Sequence, residues 1–425
     1  MSKYNRKKSK VRGNVELHSD NESVNDMASV YSNGSFDDDY NQNQEDTLVS
    51  PIEKYEEKLL QAIENATEKS AQTRTQSIQI ICEILQHRHI PDFVEDRKIT
   101  IMDIAEKSLR RGKGAEQEWA ARLAPLIIIQ LGGDDEISTT FRQILLTTTQ
   151  NRACSYAVRA AACNSLGMMH FLNSTDIGDI VEAMQHFEHI FAGSYLKGDK
   201  TSPSVSDDAA QLHVAALHSW GLLATIIPSG DFCAYINNGS ILPSINNLIG
   251  LLQSPHVEVR MACGEIIAVK LECGRMFDED FMDMYLSDLI EITTDLAKDS
   301  QKFRAKKERK AQRASFRDVL RYLEEDITPE IQIRFGKEIL ELDTWSINIQ
   351  YEKLCDIIGP GITTHLTENE FLRDILQLGA KIVQPNGVPI NKQSKLERHL
   401  LNAAAFKART LSLRKNRDKR SAVFN

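Results

Sequence analysis

Residues Asn391 to Arg420 carry ten Lys or Arg and only two acids, Glu397 and Asp418, in a chain whose formal net charge is -9. A second run, Lys298 to Arg321, carries ten bases against three acids. Guanidinium and ammonium groups at this density do one kind of chemistry well: they neutralise phosphates and release the counterions condensed on a polyanion. A helix over 392–410 places Leu396, Leu400, Ala403, Ala404 and Phe406 on one side and Lys395, Arg398 and Arg409 on another. The predicted RNA contacts are therefore Lys392, Lys395, Arg398, Lys407, Arg409, Arg414, Lys415 and Arg417, with Lys306, Lys307, Arg309 and Lys310 as a second contact. Phe406 and the leucines would pack on protein or stack on a base. The plainer alternative is a solvated tail or an import signal, and KYNRKKSKVR, RAKKERK and RKNRDKR would each serve as one.

Other chemistries lack their residues. Gly336-Lys337 is followed by Glu338, so no GxxxxGK[ST] phosphate loop exists, and the Gly-Pro-Gly at 359–361 reads as a turn. The seven cysteines contain no CxxC pair and suit buried thiols in a reducing compartment. His186 and His189 share a helix face that His170 could join around a zinc ion, yet lone helical histidines are usually structural, and no metal is expected. Glu324-Glu325 and Asp207-Asp208 lack an apolar pocket that would part their pKa values. No catalytic residue, cofactor or small-molecule substrate is predicted, and an enzyme is not expected. No apolar run is long enough to span a membrane, and the basic start MSKYNRKKSKVR has no apolar core for a secretory signal. Nuclear and cytoplasmic localisation follows.

The elements that must position the basic segments are helical. Residues 1–50, six bases in the first twelve and then nine acids with no base, read as a disordered tail. Ser19, Ser23 and Ser35 each have an acid three residues on, resembling acidophilic kinase sites. From 51 to 297 the pattern turns to long helical periodicity with internal similarity. EWAARLAPLIIIQLG (118–132), YAVRAAACNSLGMMHFL (156–172) and VEVRMACGEIIAVKLE (257–272) each set an Arg (Arg122, Arg159, Arg260) before small residues and a bulky apolar run. LHVAALHSWGLLATII (212–227) keeps all but the Arg. Small residues let helices approach closely, and stacked pairs bury what one pair cannot, which predicts an all-α, HEAT/armadillo-like α-solenoid. The polar stretch 193–209 interrupts it as a surface loop, often the partner face in such arrays. A basic connector is expected at 298–313 and a compact, mostly helical C-terminal domain at 314–379. In that domain IQIRFG is extended, the next segment runs strand to helix, and Thr367 with Glu370 forms a capping box. Residues 380–425 are expected to be a linker and the basic terminal helix and tail.

FRDVLRY (316–322), LDTW (342–345), HLTENE…LRDI (365–375) and NAAAFKAR (402–409), in this order, resemble the interferon-related developmental regulator family. EWAARLAPLIIIQLG is similar to its N-terminal helical region. The resemblance covers roughly 50–420 and departs from the family at the acidic N-terminal tail and the 193–209 insert. It implies an armadillo-like domain, a further C-terminal domain and no catalytic activity. It also implies two lines of function. One is binding to translationally inactive ribosomes, with the terminal helix near the mRNA path and rRNA as partner. The other is nuclear co-regulation of transcription, scaffolding repressor or histone deacetylase complexes on a solenoid face. A solenoid alone would also suit a plain cargo adaptor.

Overall fold

The computed structural model of the chain describes residues 51–174, 176–237, 243–298 and 306–381. Helices alternate between two layers. The pairs are α1 (Pro51–Asn65) with α2 (Ala71–His87), α4 (Lys98–Arg111) with α5 (Ala115–Leu131), α6 (Asp135–Gln150) with α7 (Tyr156–Asn173), and α8 (Ile177–Phe191) with α9 (Asp207–Ala224). Short α3 (Pro91–Asp96) precedes α4. Beyond α9, α10 (Ser229–Asn237) and α11 (Ile245–Leu251) pair with α12 (Val257–Arg275), and α13 (Leu286–Lys298) pairs with α14 (Lys306–Glu325). The second members, α2, α5, α7, α9, α12 and α14, lie side by side as an inner row, and the first members cover its outer face. This is the stacked-pair architecture of an α-solenoid. Local signals set the breaks: Gly132 at φ 80° ends α5, and the Asp134 carboxylate accepts from Ile137 N at 2.9 Å to open α6.

The chain then returns over the row it has built. A hairpin, β1 (Ile331–Phe335) and β2 (Glu338–Leu342), turns at Gly336 with φ 55° and pairs Ile333 with Leu340. Its buried Ile333, Phe335, Leu340 and Leu342 alternate with exposed Gln332, Arg334 and Glu341. After it α15 (Trp345–Ile358), about 21 Å long at 1.5 Å per residue, packs across α2, α5, α7, α9 and α12. Helices α16 (Ile362–Glu368) and α17 (Glu370–Ile375) complete this cover. Inner-row helices are thus buried on two sides. That explains why α12 buries most of its circumference, from Val257, Val259 and Ala262 to Ile266, Ile267 and Leu271, leaving only the side of Glu258, Glu265 and Glu272 unburied. Gly221 on α9 is where three layers meet: a Cβ there would clash with Ile266 of α12 and Ile349 of α15.

Polar groups fix both ends of α15. Glu272 of α12 accepts from the backbone N–H groups of Trp345 (2.7 Å) and Ser346 (2.8 Å), satisfying two first-turn donors that a helix leaves open. At the far end Gln86 donates to Ile357 O (2.7 Å), and His365 Nε2 donates to Leu85 O (3.0 Å) and Gln86 O (3.1 Å) at the end of α2. Arg373, almost fully buried, donates to both Glu338 oxygens (2.7 and 3.1 Å) and to Leu366 O (2.8 Å).

Three expectations change. The boundary placed at 313/314 falls inside α14, which runs unbroken because Gln312, Phe316, Val319 and Leu323 form one continuous buried stripe. The described residues up to Ala380 form one compact unit, so 314–379 closes the solenoid and does not stand apart from it. The cap of the last helix is Asn369, whose Oδ1 accepts from Leu372 N (3.2 Å) while its Nδ2 donates to Ile129 O (2.7 Å). Thr367 lies within α16, and its hydroxyl donates to Thr363 O. The tail 1–50 and the terminal basic helix and tail lie outside the described residues.

Candidate nucleic-acid interface

The basic segment that can be placed is α14. Its buried stripe Gln312, Phe316, Val319 and Leu323 recurs at spacings of four, three and four, the signature of one helix face. Lys306, Lys310, Arg313, Arg317 and Arg321 recur at four, three, four and four on the opposite side. Lys306, Lys307, Lys310, Arg317 and Arg321 are exposed, and Arg313 is half-buried. Of the four predicted contacts here, Lys306, Lys307 and Lys310 therefore face solvent. Arg309 is turned partly toward the core, with its Nε buried. Lys306, Lys307 and Arg317 make no ion pair among the described residues, while Arg321 meets Glu325 at 3.6 Å. Asp318 lies among these bases, and burial holds its carboxyl above the usual range against the pull of Arg321 and Arg317.

These charges oppose the helix dipole. The lysines crowd the N-terminal turn, where the dipole is already positive, and Glu324 and Glu325 close the negative end. Each such placement costs about 0.3–1 kcal/mol in an exposed helix. The stripe is accordingly no device for helix stability. An anion laid along it would meet the exposed side chains of Lys306, Lys307, Lys310, Arg317 and Arg321. Lys392, Lys395, Arg398, Lys407, Arg409, Arg414, Lys415 and Arg417 lie outside the described residues. Sequence reasoning passed over Arg313, Arg317 and Arg321 as contacts. The 4-3-4-4 spacing that aligns them with Lys306 and Lys310 was the available signal.

The histidines considered for zinc come together at one groove but are engaged separately. His170, His186 and His189 line a cavity of about 420 Å³ between α6, α7 and α8. His170 Nδ1 meets Ser174 Oγ at 2.9 Å, His186 Nε2 meets Thr149 Oγ1 at 2.7 Å, and His189 Nδ1 meets Gln185 O at 2.8 Å. Burial, then Arg142, pushes His170 down to about 3. No group of three potential metal ligands occurs among the described residues. Six of the seven thiols are buried, and burial raises the pKa of each of these. No described helix is long and apolar enough to cross a membrane.

The face a scaffold would need is also decided by geometry. The side of the inner row away from the outer helices carries α15, held by the bonds from Glu272 and Gln86. On that side Lys353 Nζ reaches Asp356 (2.7 Å), Glu352 (3.1 Å) and His218 Nδ1 (3.1 Å). The chain itself is the occupant of this surface.

The sequence profile described as Interferon-related developmental regulator (IFRD) matches residues 27–324, ending with α14, and that of the Interferon-related protein conserved region matches 369–421. Interferon-related developmental regulator 2 of Mus musculus is 35% identical over 378 residues, covering 88% of this chain and 85% of its own length. Interferon-related developmental regulator 1 of Homo sapiens is 34% identical over 375 residues, covering 87% and 82%. An uncharacterized protein of Schizosaccharomyces pombe is 24% identical over 208 residues. With its helix row, its covering segment and its basic C-terminal region, the chain belongs to the interferon-related developmental regulator family.

Proposed function

We propose that the protein is a non-enzymatic factor that associates with translationally inactive ribosomes through rRNA and represses or preserves them. The observation that carries this reading is the α14 stripe: five bases in one line, opposite the core, placed against the helix dipole. A phosphate backbone is the partner that repays such an arrangement, because neutralising it releases counterions regardless of base sequence. The basic run 391–420 adds a second cluster of the same sign. A rod-like helix face with no aromatic among its exposed residues suits recognition of RNA by shape and backbone. The transcriptional scaffold reading needs an open inner face on the solenoid, and α15 to α17 lie there; it would have to use the outer helices.

The test is co-sedimentation with ribosomes across a salt series. The wild-type chain should be retained at low salt and released steeply as salt rises. Lys306→Glu/Lys307→Glu/Lys310→Glu should lower the slope of log K against log salt by roughly 2, three contacts at about 0.7–0.9 each. Deleting 391–425 should release the protein at moderate salt. Co-sedimentation unchanged in both variants would sink the reading, and retention on chromatin without ribosomes would favour the scaffold.

A further inference from the structure

Away from α14, a cleft of about 940 Å³ opens between the end of α6, the start of α7, α8 and the segment 204–209. Its wall includes Arg152, Tyr156, Arg159, His186 and His213, and no carboxylate lines it. Arg152 is exposed and has no ion pair among the described residues. Arg159 spends only its Nε, which donates to Thr149 O at 2.7 Å, and its guanidinium carbon lies 5.9 Å from the centroid of the Tyr156 ring. Tyr156 is 43% exposed. Asp207, next in sequence to the cleft's Ser206, meets His256 at 3.4 Å. In a chain of net charge -9, two guanidiniums with no carboxylate partner among the described residues, beside an exposed aromatic residue, make an unusual local composition.

The remaining wall mixes polar side chains with apolar Ile190, Val205, Ala209 and Leu212. Thr149 Oγ1 donates to Leu146 O, so His186 Nε2, at 2.7 Å from the same oxygen, must carry the proton and leave Nδ1 as an acceptor. His213 Nδ1 pairs with Ser194 Oγ at 2.7 Å. Burial, with Arg159 adding to it, pushes both rings down to about 4. Ser204 and Ser206 come from the polar stretch 193–209, so this stretch forms one side of the cleft.

We infer that this cleft binds single-stranded RNA, taking a phosphate between Arg152 and Arg159 and stacking a base on Tyr156. Arginine offers planar, directed donors to phosphate oxygens. An aromatic face beside it is the stacking platform that sequence-tolerant single-strand binders use. Duplex RNA presents no free base face to such a ring. The inference rests on the RNA reading but not on α14: it adds a second site on other helices, with a preference for unpaired nucleotides.

The full chain, mixed with a 4-thiouridine-bearing hexanucleotide and irradiated, should cross-link within the peptide 153–159, which trypsin releases between Arg152 and Arg159. Arg152→Glu and Tyr156→Ala, both at exposed positions, should each weaken hexanucleotide binding about fivefold to tenfold and together abolish the cross-link, read in the double variant on the tryptic peptide 143–159 because cleavage after position 152 is lost. Far-ultraviolet circular dichroism should show both variants folded. Cross-links confined to 306–321 and 391–420, with hexanucleotide affinity unchanged in the variants, would overturn the inference even if ribosome co-sedimentation holds. A phosphoserine peptide occupying the cleft while the hexanucleotide fails to cross-link there would overturn it in favour of a phosphoprotein ligand. Loss of co-sedimentation with the 153–159 cross-link retained would leave this site standing and remove the ribosomal reading.

Discussion

Cations in the covering segment and cations on α14 are treated in opposite ways. Under the cover, Arg373 is buried with both Glu338 oxygens on its guanidinium, and Lys353 is buried beside Asp356 and Glu352. Burial alone would lower the Lys353 ammonium, but its two acids raise it above the ordinary lysine value. On α14, Lys306 and Lys307 stand in water at the positive end of a helix, without an ion pair among the described residues. A buried charge must be matched internally because leaving it alone costs several kcal/mol. An exposed charge carries no such penalty and can await an external anion. The contrast therefore separates what holds the molecule together from what it can offer a partner.

The largest effect should come from breaking a match under the cover. Arg373→Met leaves Glu338 without its partner and removes the donors to Leu366 O and Gly379 O. The loss should be about 3–5 kcal/mol, read as a lower midpoint in urea denaturation. An unchanged midpoint would mean that the cover contributes little to the solenoid, and the contrast would fail.

Acid should act on the cover next. His365 is fully buried and its pKa is lowered to about 4, by burial first and by neighbouring His89 and His87 against the bonds to Leu85 and Gln86. In the unfolded chain it titrates near 6.5. The folded state resists protonation, so the unfolded state binds more protons between these values. Stability is present above pH about 6.5 and is lost as pH falls toward 4, by about 3 kcal/mol for this group. His170, lowered to about 3, acts with the same sign. His365→Gln keeps a donor for the same carbonyls and should flatten the slope of urea stability against pH over that window. An equally steep slope would clear His365 of the acid sensitivity.

A smaller effect distinguishes two caps. Asn369→Ala removes the acceptor for Leu372 N and the donor to Ile129 O, and should cost about 1–2 kcal/mol. Thr367→Ala should cost less than about 0.5 kcal/mol, the scale of exposed substitutions that break no cap or network. The reverse ranking would restore the capping box read from Thr367 and Glu370.

That misreading shows where local sequence stops being informative. Thr367 and Glu370 have the right spacing, but Asn369 adds a bond to Ile129, some 240 positions earlier, that no window around the helix contains. The solenoid was readable because its signals are local: small residues with apolar runs in α5, α7, α9 and α12, Gly132 as a stop and Asp134 as a start. The strand IQIRF and the helix after LDTW were readable for the same reason. The cover was not. Yet the apolar and small residues of α12 spread over far more than one face, which a helix covered on one side alone would not need. On α14 the run of bases was plain, but separating exposed Lys306 from half-turned Arg309 needed the core stripe through Phe316. In the cleft, Arg159 was noticed only as a mark of the repeat, because the opposite wall, His186 and His213, comes from other helices.

The smallest expected change in stability is also the one that separates the two regions most cleanly. Lys306→Glu/Lys307→Glu/Lys310→Glu replaces bases at the positive end of α14 with acids, which the dipole favours by about 0.3–1 kcal/mol per charge at low salt, fading beyond the first turn. These side chains are exposed, and Lys306 and Lys307 make no ion pair among the described residues. The variant should unfold at the same urea concentration as the wild type or at a slightly higher one, with any gain shrinking as salt is added. Retention on ribosomes should fall at the same time. Opposite signs in the two measurements would mark α14 as a surface whose charges serve a partner at the expense of the fold. A variant that both unfolds early and lets go of ribosomes would instead place these lysines with Arg373, as cations the molecule needs for itself.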